Sequence, residues 1–209
     1  MSRFGSNPLE FFDSVYRGEA PWDVGGPQPA LASLLADHPP MTPVLDVGCG
    51  SGDLAIHLAE SGFEVVGVDF VEEPIAQARE KAARLPAEVA GRLRFEVADA
   101  LHPSRLGLRF GAVVDSGFYH LFDPRESEGF VDELAMTLLP GGRYYLLAFA
   151  VEFPVENVPR AVTEAELRER FSTGKGWHVV GIEPSEFLSR VATVPAIRGC
   201  FEYRTGAPT

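Results

Sequence analysis

Three glycines at alternate positions, Gly48, Gly50 and Gly52, lie between an apolar run and a stretch with helical spacing. Glycine permits a tight turn and lets backbone amides approach a ligand closely, and a following helix N-terminus supplies positive potential. Two acidic residues accompany the turn, however. Asp46 precedes it, and Asp53 occupies the position of the last glycine in a dinucleotide-binding G-x-G-x-x-G motif. The turn therefore favours a ligand with an ammonium or sulfonium charge over a pyrophosphate.

Two further carboxylates close the next two predicted strands. Asp69 ends the strand after the glycine turn, where an acidic side chain accepts hydrogen bonds from both ribose hydroxyls. Asp99 ends the third strand, where it could accept from an exocyclic amine, with the Ala100 amide available to a ring nitrogen. Phe70 and Leu101 would then enclose the base. The alternative is that the glycines form an ordinary strand-to-helix turn without a ligand. Acidic residues at three successive strand ends, Asp46, Asp69 and Asp99, disfavour that alternative.

An aromatic run, Phe118, Tyr119 and His120, follows the fourth predicted strand, which contains Asp115. In an open α/β sheet this rim carries the chemistry. His120 is accordingly a candidate general base and Tyr119 a candidate orienting hydrogen-bond donor, with Phe118 as a substrate contact. A lone histidine is more often structural, so a catalytic and a structural role for His120 both stay open.

Aromatic residues near the N-terminus form a second candidate group. Phe12 and Tyr16 lie at helical spacing with Phe11, which predicts a buried helix face that could double as a substrate lid. Trp22 lies in a loop rich in proline and glycine and could contact cofactor or substrate, or fill the core.

These candidates require a sheet that brings successive strand ends together. Short apolar runs alternate with longer amphipathic stretches, the pattern of a Rossmann-like, doubly wound α/β sheet. Five parallel strands are predicted at 43–47, 64–69, 93–99, 110–116 and 143–149. Two later strands, 177–184 and 200–205, would pair as an antiparallel ribbon on one sheet edge. We expect a single domain over 1–209, with an N-terminal helical cap (1–40), a cofactor-binding core (41–150) and a C-terminal helix and ribbon (151–209).

Composition narrows the functional classes. The 209 residues are 45% hydrophobic, enough for one substantial core, and the formal charge of -12 disfavours a nucleic-acid partner. Two cysteines offer no disulfide framework, and no spacing typical of metal ligands is present. Without a long apolar segment, a cytoplasmic protein that does not bind membranes is expected.

The ordered motifs resemble those of the class I S-adenosylmethionine-dependent methyltransferases. The first four motifs of that family are similar to "VLDVGCGSG", "VVGVDF", "FEVADAL" and "FGAVVDSG", and "LLPGGRYYLLAF" resembles the segment that follows them. The resemblance covers 44–149. It implies a seven-stranded sheet of order 3-2-1-4-5-7-6 with strand 7 antiparallel, and S-adenosyl-L-methionine as cofactor, which becomes S-adenosyl-L-homocysteine. It also implies cofactor contacts with the methionine (Asp46, Gly48), ribose (Asp69), adenine (Asp99, Ala100) and donor or substrate side (Asp115). Gly50 and Phe70 are further predicted cofactor contacts.

A narrower resemblance concerns the acceptor. "PWDVGGPQPAL" resembles the entry segment of small-molecule thiol, thiopurine and halide methyltransferases, in which a tryptophan, here Trp22, lies against the cofactor. "DSGFYHLF" and "GWHVVGIEP" resemble actinobacterial relatives that methylate heteroaromatic hydroxyl or thiol groups, including hydroxyquinolones. This implies methylation of oxygen or sulfur on a small, heteroaromatic acceptor by a monomer or homodimer, with thiol, thiopurine or halide methylation as the alternative.

Three other functions stay open on the sequence alone. A methyltransferase acting on protein or nucleic acid is disfavoured by the acidic charge and by "GFYH" where an Asn-Pro-Pro-Tyr type motif would stand. A nicotinamide-dependent oxidoreductase is disfavoured by Asp53. A noncatalytic protein that binds S-adenosylmethionine is the third.

Overall fold

A computed structural model describes residues 4, 7–154 and 157–204. In this part of the chain the helices are α1 (Pro8–Tyr16), α2 (Pro29–Asp37), α3 (Asp53–Glu60), α4 (Glu72–Ala83), α5 (Ala87–Ala90), α6 (Pro124–Thr137) and α7 (Glu164–Arg170). The strands are β1 (Val44–Val47), β2 (Val65–Asp69), β3 (Leu93–Val97), β4 (Phe110–Ser116), β5 (Leu138–Phe149), β6 (Trp177–Leu188) and β7 (Thr193–Tyr203). None of the described helices is long and apolar enough to cross a membrane.

The strands form one seven-stranded sheet in the order β3-β2-β1-β4-β5-β7-β6. The first five strands are parallel, and β7 runs antiparallel to both β5 and β6. The expected order and the antiparallel seventh strand are both confirmed. In the register, Val47 of β1 lies between Val68 of β2 and Asp115 of β4. The carboxyl ends of these three strands therefore meet at one edge of the sheet.

The apolar core lies on both faces of the sheet. Along β5 the side chains alternate, with Tyr144 and Leu146 in the core on one face and Tyr145 and Leu147 in the core on the other. Strands that are buried on both faces read as continuous apolar runs, which explains why "YYLLAF" carries no polar alternation.

The terminal ribbon is longer than the sequence predicts. β6 continues past Pro184 to Leu188, and β7 begins at Thr193, seven residues before the predicted start at 200. Pro184 suggests a strand end, but β6 is an edge strand, where the missing backbone donor of proline is tolerated. The extension carries the ribbon's tip beyond β5 and towards the N-terminal loop.

Candidate functional site

A cavity of about 770 Å³ lies at the carboxyl edge of β1, β2 and β4. Its floor is the glycine turn, and its walls come from segments far apart in the chain: α1 with the loop that follows it, the end of β2, the turn after β4, the end of β5 with the next loop, and the tip of the β6–β7 ribbon. Among the predicted site residues it is lined by Phe12, Tyr16, Trp22, Asp46, Gly48, Gly50, Asp69, Phe70, Phe118 and His120.

The glycine turn is shaped for close approach. Gly48 and Gly50 have φ values of +63° and +52°, a left-handed conformation that L side chains rarely adopt. A β carbon on Gly48 would lie 2.7 Å from the Phe118 ring, and one on Gly50 would lie 2.9 Å from the Tyr16 hydroxyl. Glycine is therefore required at both positions.

Asp46 is a buried acidic residue of the cavity lining, with a carboxylate oxygen left unsatisfied within the described part of the chain. Its side chain is 1% exposed, and its Oδ2 atom has no hydrogen-bond partner among the residues that the structure describes. Burial first, and the Asp115 carboxylate second, hold the pKa of Asp46 well above its usual range. An unpaired buried carboxylate is costly unless a ligand supplies a donor. The ammonium group of the S-adenosylmethionine implied by the sequence can supply such a donor, and its sulfonium supplies a positive charge.

Asp69 joins the end of β2 to the glycine turn. Its carboxylate accepts hydrogen bonds from the Gly50 amide at 3.1 Å and the Val71 amide at 3.0 Å. Burial raises the pKa of Asp69 to about 6, opposed by these hydrogen bonds. A carboxylate has about four acceptor positions, so lone pairs remain for ligand hydroxyls.

Of the residues expected at the adenine end, Phe70 lines the cavity, whereas Asp99 and Ala100 do not. β3 ends at Val97, and the chain then turns, so Asp99 is on the surface with its side chain 49% exposed. Its carboxylate accepts from the Leu101 amide at 3.0 Å and lies 2.6 Å from His102 Nδ1. Ala100 is buried. Adenine contact by Asp99 and Ala100 stays a prediction.

Two expected site residues face the protein interior instead of the cavity. Asp115 is fully buried and accepts from the Phe118 amide, the Tyr119 amide and the Tyr144 hydroxyl at 2.7, 3.0 and 2.7 Å. The Tyr119 hydroxyl donates to Glu166 at 3.0 Å. Neither residue lines the cavity, so direct cofactor contact by Asp115 and orientation of the acceptor by Tyr119 do not fit this geometry. Asp115 instead holds the turn that carries His120.

His120 reaches the cavity, but its surroundings do not suit a general base. The ring is 3% exposed, its Nδ1 accepts from the Phe149 amide at 3.0 Å, and it packs against the Phe149 and Phe187 rings. Burial first, and the positive charge of Arg160 second, lower the pKa of His120 to about 3. An imidazole with that pKa is a weak proton acceptor at neutral pH.

The N-terminal segment closes one side of the cavity. Trp22 Nε1 donates to the Tyr16 hydroxyl at 3.4 Å, and Ser51 in the glycine turn donates to Asp23 at 2.9 Å. Gln28 is buried and makes two hydrogen bonds of 2.8 Å to the backbone of Leu188, one in each direction. The loop is therefore fastened both to the glycine turn and to the ribbon tip.

Sequence reasoning missed these fastening residues and one aromatic wall. The wall consists of Phe149, Phe153 and Phe187, which line the cavity beside His120. Phe187 lies beyond the predicted end of β6, although its alternation with the exposed Glu186 along the strand was a signal. Gln28 and Asp23 make contacts over long sequence separations that no local pattern reveals.

Comparisons with known proteins show which family the chain belongs to. The family described as "Methyltransferase domain" matches residues 44–142. The chain is 34% identical over 193 residues to the 2-heptyl-1-hydroxyquinolin-4(1H)-one methyltransferase of Mycobacteroides abscessus, covering 88% of this chain and 83% of the relative. It is 25% identical over 170 residues to "Probable thiol methyltransferase 2" of Arabidopsis thaliana, covering 81% of this chain and 74% of that protein.

A solved structure is similar over nearly the whole chain. It is described as "Conversion of a Disulfide Bond into a Thioacetal Group during Echinomycin Biosynthesis", with a TM-score of 0.80 and 31% identity. The similarity covers 95% of this chain and 94% of the other, so it includes the N-terminal segment and the terminal ribbon that build the cavity walls.

Proposed function

Because the chain belongs to the class I S-adenosylmethionine-dependent methyltransferases of the small-molecule branch, we propose that it methylates oxygen or sulfur of a small heteroaromatic acceptor. The observation that carries this proposal is the cavity itself, which runs from an acidic glycine turn to a wall of aromatic side chains.

The acidic end suits the cofactor. Asp46, Gly48 and Gly50 would hold its methionine part, Asp69 would hold its ribose, and Phe70 would contact its adenine base. When bound, S-adenosylmethionine supplies a methyl group made electrophilic by the positive charge on sulfur. The unpaired Oδ2 of Asp46 supports this placement, because a cation there satisfies an otherwise uncompensated acceptor.

The aromatic end suits a flat, mostly apolar acceptor. Phe149, Phe153 and Phe187 present ring surfaces to the cavity, and aromatic rings pack favourably in offset or edge-to-face arrangements. The hydroxyquinolone named for the relative in Mycobacteroides abscessus is an acceptor of this class, and the thiol named for the Arabidopsis thaliana relative is the second candidate.

The protein's contribution to methyl transfer is mainly alignment. Displacement at a methyl carbon requires the acceptor atom in line with the bond that breaks, and holding the two reactants together removes a large entropic barrier. The N-terminal segment, fastened by Asp23 and Gln28, excludes water from the reacting atoms.

Two measurements test this function. Calorimetric titration with S-adenosylmethionine is expected to show one site per chain. An assay of S-adenosylhomocysteine release is then run over hydroxyquinolones, phenols, heteroaromatic thiols, thiopurines and halides. We expect turnover of a hydroxyquinolone or a heteroaromatic thiol. Turnover of halides alone, or of none of the aromatic compounds, would contradict the proposed acceptor.

A further inference from the structure

We propose that His120 serves as a hydrogen-bond donor through Nε2–H, and that the enzyme therefore takes its acceptor as an anion, an ionised heteroaromatic hydroxyl or thiol. The identity of the acceptor rests on the proposed function. The tautomer and protonation of His120 depend only on contacts within the protein.

The backbone fixes the tautomer of His120. The Phe149 amide donates to Nδ1 at 3.0 Å, and a peptide N–H cannot reverse its role as donor. The Gly117 amide donates to the Leu147 carbonyl of β5 at 2.9 Å. Because β4 ends at Ser116, the imidazole of His120 accepts the hydrogen bond from the Phe149 amide of β5 in place of a β4 carbonyl. A neutral imidazole has one donor and one acceptor nitrogen. With Nδ1 accepting, the proton is on Nε2.

The surroundings also resist a second proton. Arg160 places its charge nearby and is itself fixed by Glu166 at 2.6 Å, by Ser127 and by the Phe122 carbonyl. From β5 and β6 the ring meets only the uncharged Phe149 and Phe187 among the described aromatic contacts.

The groups in the turn that carries His120 do not favour its protonation either. The Asp115 carboxylate accepts from three donors. A hydrogen bond with the Gly117 backbone raises the pKa of His120, but it is a smaller influence than burial and the charge of Arg160, which lower that pKa. Imidazolium would also direct an Nδ1 proton at the Phe149 N–H. His120 consequently offers the cavity no lone pair with which to take the acceptor's proton.

A donor at this wall selects a negatively charged atom. Hydrogen bonds to an ionised oxygen or sulfur are stronger than neutral ones, and the aromatic surroundings reduce screening by water.

The reaction then balances without a base. A lone pair of the ionised acceptor atom forms the new bond to the methyl carbon, while the carbon–sulfur bond breaks and its electron pair stays on sulfur. No proton is released, because the acceptor entered without one. A hydrogen bond to the nucleophile stabilises the bound anion more than the transition state, in which the negative charge is being lost. Loss of the donor should therefore raise KM without lowering kcat.

Nitrogen-15 NMR of the histidine rings in the full chain tests the tautomer directly. We expect His120, assigned by the signals lost in H120Q, to show neutral imidazole with the proton on Nε2 from pH 5 to pH 9. A proton on Nδ1, or titration within that range, would overturn the proposal. This measurement needs no acceptor, so it separates a wrong state of His120 from a wrong acceptor class.

Steady-state kinetics with a 1-hydroxyquinolin-4-one and a heteroaromatic thiol test the role. We expect H120L to raise KM by about 10- to 100-fold without lowering kcat, since a hydrogen bond to a charged group is lost. H120Q keeps an amide donor but cannot act as a base, so its KM and kcat should both stay within about threefold of wild type. Loss of a general base would instead lower kcat by about 10²- to 10⁴-fold. H178Q, on β6 and outside the cavity lining, is the matched control.

Other results are equally decisive. A similar large loss of kcat in H120Q and H120L, with KM unchanged, would make His120 a base and overturn the proposal. Circular dichroism and the Kd for S-adenosylmethionine, both expected unchanged, show that the variants are folded. Absence of turnover with every ionisable acceptor would refute the acceptor class, whatever the NMR result.

Discussion

The Tyr16 hydroxyl lies over Gly50, 2.9 Å from the point where a β carbon would stand. The N-terminal helix therefore rests on the glycine turn at the position where a side chain would intrude. Tyr16 also accepts the hydrogen bond from Trp22, so one hydroxyl connects the loop, the helix and the turn.

We predict that G50A weakens both the fold and cofactor binding. Its φ of +52° costs an L residue about 1–2 kcal/mol, and the methyl group also displaces Tyr16. Urea unfolding should show this loss, and calorimetry should show a higher Kd for S-adenosylmethionine. G129A is the matched control: it lies inside α6 with nothing within 4 Å of the added carbon and should stabilise the protein by about 0.5–1 kcal/mol. Equal effects of the two variants would contradict the argument.

D46N should raise the thermal stability of the protein and weaken its binding of S-adenosylmethionine. Burial raises the pKa of Asp46, so the folded state holds this proton more tightly than the unfolded state. The stability linked to this proton is present below the usual pKa near 3.8 and is lost as pH rises through the raised value. The neutral amide removes that loss, so the thermal midpoint of D46N should exceed that of wild type more at pH 8 than at pH 5.

Cofactor affinity should change in the opposite direction. Without the carboxylate, the positive charge of S-adenosylmethionine has lost its buried partner, and the Kd should rise by at least about tenfold. A variant that is less stable than wild type at pH 8, or that binds the cofactor normally, would contradict the unpaired state of Asp46 Oδ2.

Asp69 and Asp115 show what the sequence could and could not predict. Both end parallel strands, and the motif order correctly placed both strand ends at one edge of the sheet. Asp69 lines the cavity, whereas Asp115 turns towards three donors. One of those donors, Tyr144, comes from the neighbouring strand, 29 residues away. The direction of a strand-end carboxylate therefore depended on a long-range contact that spacing does not encode.

His120 shows the same limit in its chemistry. Its place at the rim followed from its position after β4, but its hydrogen-bonding role depends on the Phe149 amide, which β4–β5 pairing brings to the ring. Phe187 was missed because Pro184 obscured the continuation of an edge strand.

Q28A should loosen the closure of the cavity. The Gln28 amide both donates to and accepts from the Leu188 backbone at 2.8 Å, which reproduces the pairing of an extra strand residue. Removing it breaks two hydrogen bonds to partly buried backbone groups, each contributing about 0.5–1.5 kcal/mol. Hydrogen exchange of a peptide covering 186–194 should become faster. Q77A, which removes an exposed hydrogen bond to Glu73 within α4, is the control and should leave that peptide unchanged. Unchanged exchange in Q28A would show that the ribbon tip is held by other contacts.

F187L should affect the acceptor and spare the cofactor. Leucine keeps most of the volume of Phe187 but lacks the flat ring that packs 5.1 Å from Phe149 and 6.1 Å from His120. An aromatic contact contributes about 0.5–1.5 kcal/mol beyond its buried area, so KM for a heteroaromatic acceptor should rise by about two- to tenfold. The Kd for S-adenosylmethionine should stay within twofold, because Phe187 comes from the edge strand β6, four strands from the β1 strand that carries Asp46. L188A, the next residue, is partly exposed, lies outside the cavity lining, and should leave both values unchanged. A change in cofactor Kd that exceeds the change in acceptor KM would place Phe187 at the cofactor end and contradict the proposed acceptor wall.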